Sequence, residues 1–312
     1  MIARRTSTDP DSNSFWVAGA AYVDGQIVPI GEARIPLTDW GYRRSDVTYD
    51  VISVWNGAFF RLKDHIRRFR RSMDALRLSP TESDAAIRDI LFDLVRRTGL
   101  REAYVAVDCL RGRPPAGTIY HPANARCYLA AFAIPYVSLM PSDIIARGAH
   151  LMIASTPRIP KECVDPKVKN FHWGDMTRAL FEARDFGADN PVLLDLDGNV
   201  TEGPGFNIFS VTNGVVVTPD QGVLEGITRL SVIELCDQFG IPFEQRSLPA
   251  DELHHADEIF ISSTAGGIIG VTRLNGRILG NDRPGMLTSR LHDAYWNMRA
   301  KGWQADTIDY GD

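Results

Sequence analysis

Lys167 and Lys169 stand two residues apart behind Pro166 in the stretch DPKVKNFHWGD (165–175). A lysine amine is a nucleophile when burial or a neighbouring charge lowers its pKa, and a passive ammonium when it is solvated. The stretch alone leaves open which of the two is which. Downstream, TEGPGFNIF (201–209) places a carboxylate, Glu202, in a tight glycine turn ahead of an apolar strand. LEGITR (224–229) then places Gly226 and Thr228 at a helix start. Such a start presents unpaired backbone N–H groups and the positive end of the helix dipole, which suits an anion. Taken singly, Gly-x-Thr before a helix is an ordinary N-cap.

The three features together meet the needs of pyridoxal 5′-phosphate. The lysine forms a Schiff base with its aldehyde, the carboxylate keeps its pyridine nitrogen protonated, and the helix start holds its phosphate. The protonated ring is an electron sink once the substrate loses its α-proton, and the freed lysine amine carries that proton between substrate and cofactor carbons.

The elements that must position these residues are legible in outline. AAYVDGQIVPI (20–30) predicts a hairpin about Asp24-Gly25, and residues 46–62 predict strand, Asn56-Gly57 turn and strand. Ile66, Phe69, Met73 and Leu76 give a helical period over 62–78, and a second helix over 83–98 stops at Gly99. Two strands follow around an Arg/Pro/Gly loop at 111–126. Beyond the break at 135–143 come a strand from Gly148 and a helix over 175–187. Short strands with Asp197-Gly198 and Asn213-Gly214 turns occupy 191–219. A helix over 227–240 is opened by Thr228 and closed by Gly240, and a buried strand at 256–271 runs into a glycine-rich turn. Mixed strands and helices in both halves define an α/β (α+β) class with two domains. The expected division is a flexible tail at 1–17, a small domain at 18–134, an interdomain loop at 135–143 and a larger domain at 144–312, with ligands expected in a crevice between domains.

Composition excludes several alternatives. A net charge of −5 offers no concentrated basic surface for nucleic acid. The basic run RLKDHIRRFRR (61–71) has helical spacing and reads as a solvated helix face. No apolar run approaches the roughly 20 residues of a bilayer span, and the polar start has no secretory apolar core. Cys109, Cys127, Cys163 and Cys236 are widely spaced and form no CxxC pair, which predicts reduced thiols in a cytoplasmic protein. His254 and His255 lack metal-ligand spacing, so no metal site is expected.

From about residue 18 onward the chain resembles the class IV (fold type IV) aminotransferases, with a D-amino-acid aminotransferase-like fold. VKNFHWGD resembles the family's lysine segment, which implies that Lys169 is the nucleophile and that Lys167 lies at the surface or the entrance. TEGPGFNIF is similar to E-G-x-G-x-N-I-F, implying Glu202 at the pyridine nitrogen. LEGITR resembles L-x-G-[IV]-T-R, implying Ile227 and Thr228 at the phosphate and Leu224 against the ring. SSTAGG (262–267) implies Thr264 at the phosphate, and HIRR (65–68) matches H-x-x-R. That match implies that Arg68 grips the phosphate from the crevice while the other arginines of the basic helix stay solvated.

The resemblance also bears on substrate. GYRRSDVTYDVISVWNG (41–57) lacks the F-E-G-I-R run of branched-chain aminotransferases and looks most like (R)-selective amine transaminases. It implies Tyr49, Trp173 and Tyr104 as pocket residues. The D-amino-acid enzymes' Arg-x-His pair is absent from the 111–126 loop, and Ala116-Gly117 stand where amine transaminases carry a mobile arginine. A keto acid such as pyruvate still brings a carboxylate suited to a bidentate guanidinium, for which Arg44 and Arg113 are the candidates. The implied reaction is a ping-pong transamination through pyridoxamine phosphate, from an (R)-amine or D-amino acid to a keto acid. In the family the proton moves on the cofactor's re face. D-amino-acid and branched-chain aminotransferases are the alternatives, with aminodeoxychorismate lyase behind them. The family also implies a homodimer in which the 111–126 loop reaches the partner's site.

Overall fold

The computed structural model describes residues 16–311, and the chain divides into two compact units. One runs to Val137 and takes back the chain from Gln304, and the other is Ser138–Trp303. The expected tail at 1–17 lies outside the described residues except for its last two. Of these, Trp16 packs against the first core beneath the Arg97 guanidinium.

In the first unit, β1 (Ala20–Val23) and β2 (Gln26–Pro29) form the hairpin, turning through Asp24 and Gly25 at positive φ. Then come α1 (Trp40–Arg44), β3 (Val47–Trp55), β4 (Ala58–Phe60), α2 (Leu62–Leu76), α3 (Asp84–Thr98), β5 (Ala103–Leu110) and β6 (Tyr128–Pro135). Ser83 caps α3 by accepting from the Ala86 N–H, and Gly99 ends it in the left-handed region. Leu62, Ile66, Phe69 and Met73 recur every three or four residues along α2 and are all buried. They meet Ile52, Val54, Val105 and Val107 on one face of the sheet. Burial of each such side chain contributes about 1.5–3 kcal/mol, and Phe69→Ala removes about 3–5 kcal/mol with its cavity included.

The antiparallel β3–β5–β6 ladder sorts the other side chains by parity. Tyr49 lies opposite Asp108, Ser53 opposite Tyr104, and Phe132 opposite Ala106. These residues share the face away from the helical core, because side chains alternate along a strand.

The second unit continues with α4 (Ser142–Arg147), β7 (Ala149–Ile153), α5 (Gly174–Phe186), β8 (Asn190–Val192), β9 (Glu202–Gly203), β10 (Phe206–Thr212) and β11 (Val215–Thr218). It is completed by α6 (Ile227–Gln238), β12 (Phe243–Gln245), α7 (Ala250–His255), β13 (Glu258–Ser263), β14 (Gly267–Leu274), β15 (Arg277–Ile278) and α8 (Met286–Ala300). Its sheet runs β12-β11-β10-β13-β14-β7-β8, mostly antiparallel at the centre and parallel at β7 and β8. Two expectations shift here. Helix α6 is opened by Gly226 as N-cap rather than by Thr228, which lies inside its first turn. Residues 256–271 are a hairpin of two strands, turned at 264–266.

The last strand, β16 (Ala305–Thr307), pairs with β4 as the outer strand of the first sheet. The chain end therefore belongs with the first unit, and not with the second as a single cut near residue 140 implies. Ile308 is buried in the first core, and the Tyr310 hydroxyl donates to the Leu100 carbonyl (2.7 Å).

Candidate active site

Glu202 sits where β9 turns into β10, and only glycine fits beside it. A Cβ on Gly203 would collide with the Phe206 ring and with the Pro191 carbonyl (2.5 Å), while Gly205 turns at φ +83°. The Glu202 carboxylate is buried and accepts from two sides: Arg158 Nη2 donates to Oε1 (3.2 Å) and the Leu224 N–H donates to Oε2 (2.9 Å). Burial pushes the Glu202 carboxyl above its ordinary range, while Arg158, the Leu224 N–H and the Lys169 ammonium favour its ionised form. The two charges therefore lie within electrostatic reach of one another. Lys169 is half-buried, whereas Lys167 is exposed and paired with Glu225 (3.3 Å).

Trp173 packs on Met176, Ala179 and Leu193 at the start of α5, within reach of the turn at Gly205. The anion-binding candidates gather at the same end of the sheet. Asn207 Nδ2 donates to the Leu224 carbonyl (2.8 Å), tying β10 to the approach to α6. Gly226 has no side chain with which to cap the helix, and a Cβ there would run into Asn207 Oδ1. Ile227 and Thr228 follow, both buried. Thr264 occupies the β13–β14 turn, which is stitched to the glutamate turn by the Ser263 hydroxyl donating to the Gly205 carbonyl (2.8 Å). Lys169, Glu202, Leu224, Ile227, Thr228 and Thr264 thus belong to one connected set within the second unit.

In the first unit, Arg68 is buried on α2 and Asp50 holds its guanidinium in a bidentate pair, Nε to Oδ2 at 2.8 Å and Nη2 to Oδ1 at 2.7 Å. His65 Nδ1 lies 2.7 Å from the same Oδ1. Burial raises the Asp50 carboxyl, but Arg68 and His65 together outweigh it and hold the group well below the usual carboxylate range. Arg61, read as solvated with the rest of the basic run, is instead buried and donates to Asp64 (2.6 Å). Tyr49 and Tyr104 are half-buried on the sheet face away from α2 and α3. Tyr104 stacks on Phe132, and burial, with Tyr49, Asp108 and Asp50 adding, pushes its hydroxyl up to about 12. Arg44 is exposed and stacks over Trp40 (3.8 Å) and Tyr120 (5.4 Å), and Arg113 is exposed in the 111–126 loop.

Two residues that hold candidate site residues in place escaped the sequence reading. Asp50 shares the core-facing parity of Ile52 and Val54, and a carboxylate at such a position needs a cation or donors. That was a usable signal. Arg158 gave none, since nothing distinguishes it among 34 lysines and arginines. It is placed by α5: Glu182 accepts from the Ser155 N–H (2.7 Å) and the Thr156 N–H (3.2 Å), and Asp175 from the Ile159 N–H (2.8 Å) and Arg158 Nη1 (2.6 Å). Among the described residues, no cluster of His, Cys, Asp and Glu could hold a metal ion, and no helix is long and apolar enough to cross a membrane.

A lysine beside a clamped, buried carboxylate, with an uncapped helix start next to it, defines a two-unit α/β enzyme built to hold an anionic ring cofactor. The chain belongs to the class IV aminotransferases: the Amino-transferase class IV profile matches residues 48–274. The D-alanine aminotransferase of Bacillus licheniformis is 29% identical over 276 residues, covering 88% of this chain and 95% of that protein. The branched-chain-amino-acid aminotransferase of Salmonella typhimurium is 29% identical over 286 residues, covering 89% and 92%. Among solved structures, the branched-chain amino acid aminotransferase from Thermobaculum terrenum, in its PLP form, superposes with a TM-score of 0.82 at 26% identity, over 93% of this chain and 98% of that one.

Proposed function

We propose that this class IV aminotransferase moves the amino group of an (R)-amine or D-amino acid to a keto acid such as pyruvate, with pyridoxal 5′-phosphate as its cofactor. The residues of the second unit fit that group. Each Glu202 oxygen keeps a lone pair beyond its present bond and can accept from a ring N–H. The start of α6 offers N–H groups and the Thr228 hydroxyl to a phosphate. When bound, pyridoxal phosphate supplies an aldehyde that takes up the donor nitrogen and a ring that accepts the electron pair released with the α-proton.

The chain's own groups do the rest. Lys169 Nζ is assigned to remove the donor's α-proton and return it one carbon away. Glu202, whose ionised form Arg158 and the Leu224 N–H favour against the effect of burial, is assigned to keep a proton on the ring nitrogen. Leu224 is assigned to the ring, and Ile227, Thr228 and Thr264 to the phosphate. Tyr49, Tyr104 and Trp173 are assigned to the donor's substituents.

The observation that carries the donor class is the face shared by Tyr49, Val51, Tyr104, Ala106, Asp108 and Phe132. Among the described residues, that face of β3, β5 and β6 bears no lysine, arginine or histidine. An amine without a carboxylate needs none. The acceptor's carboxylate is then met by Arg44 or Arg113, and Ala replacement of the correct one raises the pyruvate KM far more than the amine KM. We also propose a homodimer, in which the 111–126 loop meets the partner. Its exposed Ile119 and Tyr120, with Leu37 and Tyr42, are large apolar side chains of the kind that subunit contacts cover.

A branched-chain L-amino-acid reading is favoured by the names of several relatives and opposed by the absence of F-E-G-I-R. Chiral analysis of alanine formed from pyruvate tests the proposal. D-alanine is expected, and L-alanine as the product contradicts it.

A further inference from the structure

We infer that Asp108 is a specificity residue that accepts from a second, cationic group on the amine donor, so that diamines are preferred over monoamines of the same shape. The inference rests on the proposed assignment of the Tyr49 face to the donor. Asp108 stands directly across from Tyr49 in the β3–β5 register and across from Ala130 in the β5–β6 register. Cross-strand partners hold their Cβ atoms about 5 Å apart on one face, so a donor resting against the Tyr49 ring lies within reach of the Asp108 carboxylate.

Among the described residues, the groups around Asp108 provide no counter-charge. The titratable side chains facing it are phenols: Tyr49 on β3, Tyr104 on its own strand and Tyr128 on β6. The Tyr128 hydroxyl is already committed to Asp39 (2.7 Å). On α1, the short helix ahead of β3, Arg44 is exposed and stacked on Trp40. Burial alone pushes the Asp108 carboxyl up to about 7, with no cation drawing it back. A half-buried carboxylate without a cation is costly, and an ammonium arriving with the substrate relieves that cost. A purely apolar donor tail gains nothing from it.

The same property lets one surface serve both halves of a ping-pong cycle. An ionised Asp108 attracts a cationic donor, and a protonated one tolerates the carboxylate of the keto-acid acceptor.

The test uses the pyridoxal phosphate-loaded protein and an isosteric pair, 1,5-diaminopentane and n-hexylamine, comparing kcat/KM with pyruvate as acceptor. The wild type should prefer the diamine by about tenfold or more, and the preference should grow between about pH 6 and pH 8 as Asp108 ionises. Asp108→Asn should abolish the preference and its pH dependence, Asp108→Glu should retain part of it, and Asp108→Leu should improve n-hexylamine turnover. Equal losses on both amines in Asp108→Asn, or no diamine preference in the wild type, overturn the inference and leave the amine transaminase reading intact. If the wild type converts neither amine while converting D-alanine or L-leucine, the amine part of the donor reading falls and the inference falls with it.

Discussion

Lys169 and Lys167 differ in two measurable ways, half-burial and neighbours: one has Glu202 within electrostatic reach, the other is exposed and pairs with Glu225. Lys169→Ala should abolish the yellow band of the loaded protein and all turnover while circular dichroism stays unchanged. Lys167→Ala should leave both in place, and a variant lacking Lys169 that still turns over contradicts the assignment. Asp108 makes a prediction of opposite sign to most carboxylates. Its folded pKa is raised from 3.8 to about 7, so the native state binds the extra proton and stability falls as pH rises from about 4 to about 7. The resulting penalty reaches up to about 4 kcal/mol above pH 7, at 1.36 kcal/mol per unit. Asp108→Asn should therefore raise the denaturation midpoint at pH 8 and lose that advantage near pH 4. A midpoint that moves equally at both pH values would show that the carboxyl does not titrate there. Asp50 runs the other way. Its folded pKa is depressed, so its contribution is fully present above its unfolded value and is lost only as pH falls below about 4. Removing one partner of such a buried pair costs about 3–5 kcal/mol. Asp50→Asn should show that loss in urea denaturation at pH 7.

At the scale of elements, the site depends on close approaches that larger side chains would block. The start of α6 presses against β10 at Gly226, where a Cβ would meet Asn207 Oδ1. Gly226→Ala should cost about 1–3 kcal/mol through overpacking and should weaken phosphate binding, read as a higher Kd for pyridoxal phosphate. An unchanged Kd would remove the helix start from the anion site. The lysine, glutamate and helix-start segments were legible because each joins a reactive residue type to glycines or to a cap signal at short range. Arg158 and Asp50 were not seen, because their roles come from pairing across 44 and 18 residues respectively. Asp50 nevertheless left a trace in strand parity. Helix α8 escaped the periodicity argument for a related reason. Its buried positions are Thr288, Leu291, Tyr295 and Arg299, so an apolar-only pattern finds two of four.

At the scale of the whole molecule, the C-terminus returns to the first unit, which no local pattern announced. β16 extends the first sheet beside β4, and Ile308 enters the same core as Phe59 and Phe69. Ile308→Ala should cost about 2–5 kcal/mol although it lies close to the chain end, and an unchanged melting transition would contradict that packing. The alternation of strands and helices, the hairpin turns and the cofactor chemistry were available from the sequence. The return of the chain end was not, because strand pairing over such a separation carries no sequence spacing. That this fold carries out a transamination half-reaction with an (R)-amine is tested most directly by one visible spectrum. The protein loaded with pyridoxal phosphate is mixed with (R)-1-phenylethylamine without any acceptor, beside samples given D-alanine and L-leucine. Loss of the yellow band with the (R)-amine is the expected result. A band that persists with that amine and disappears only with L-leucine would contradict it.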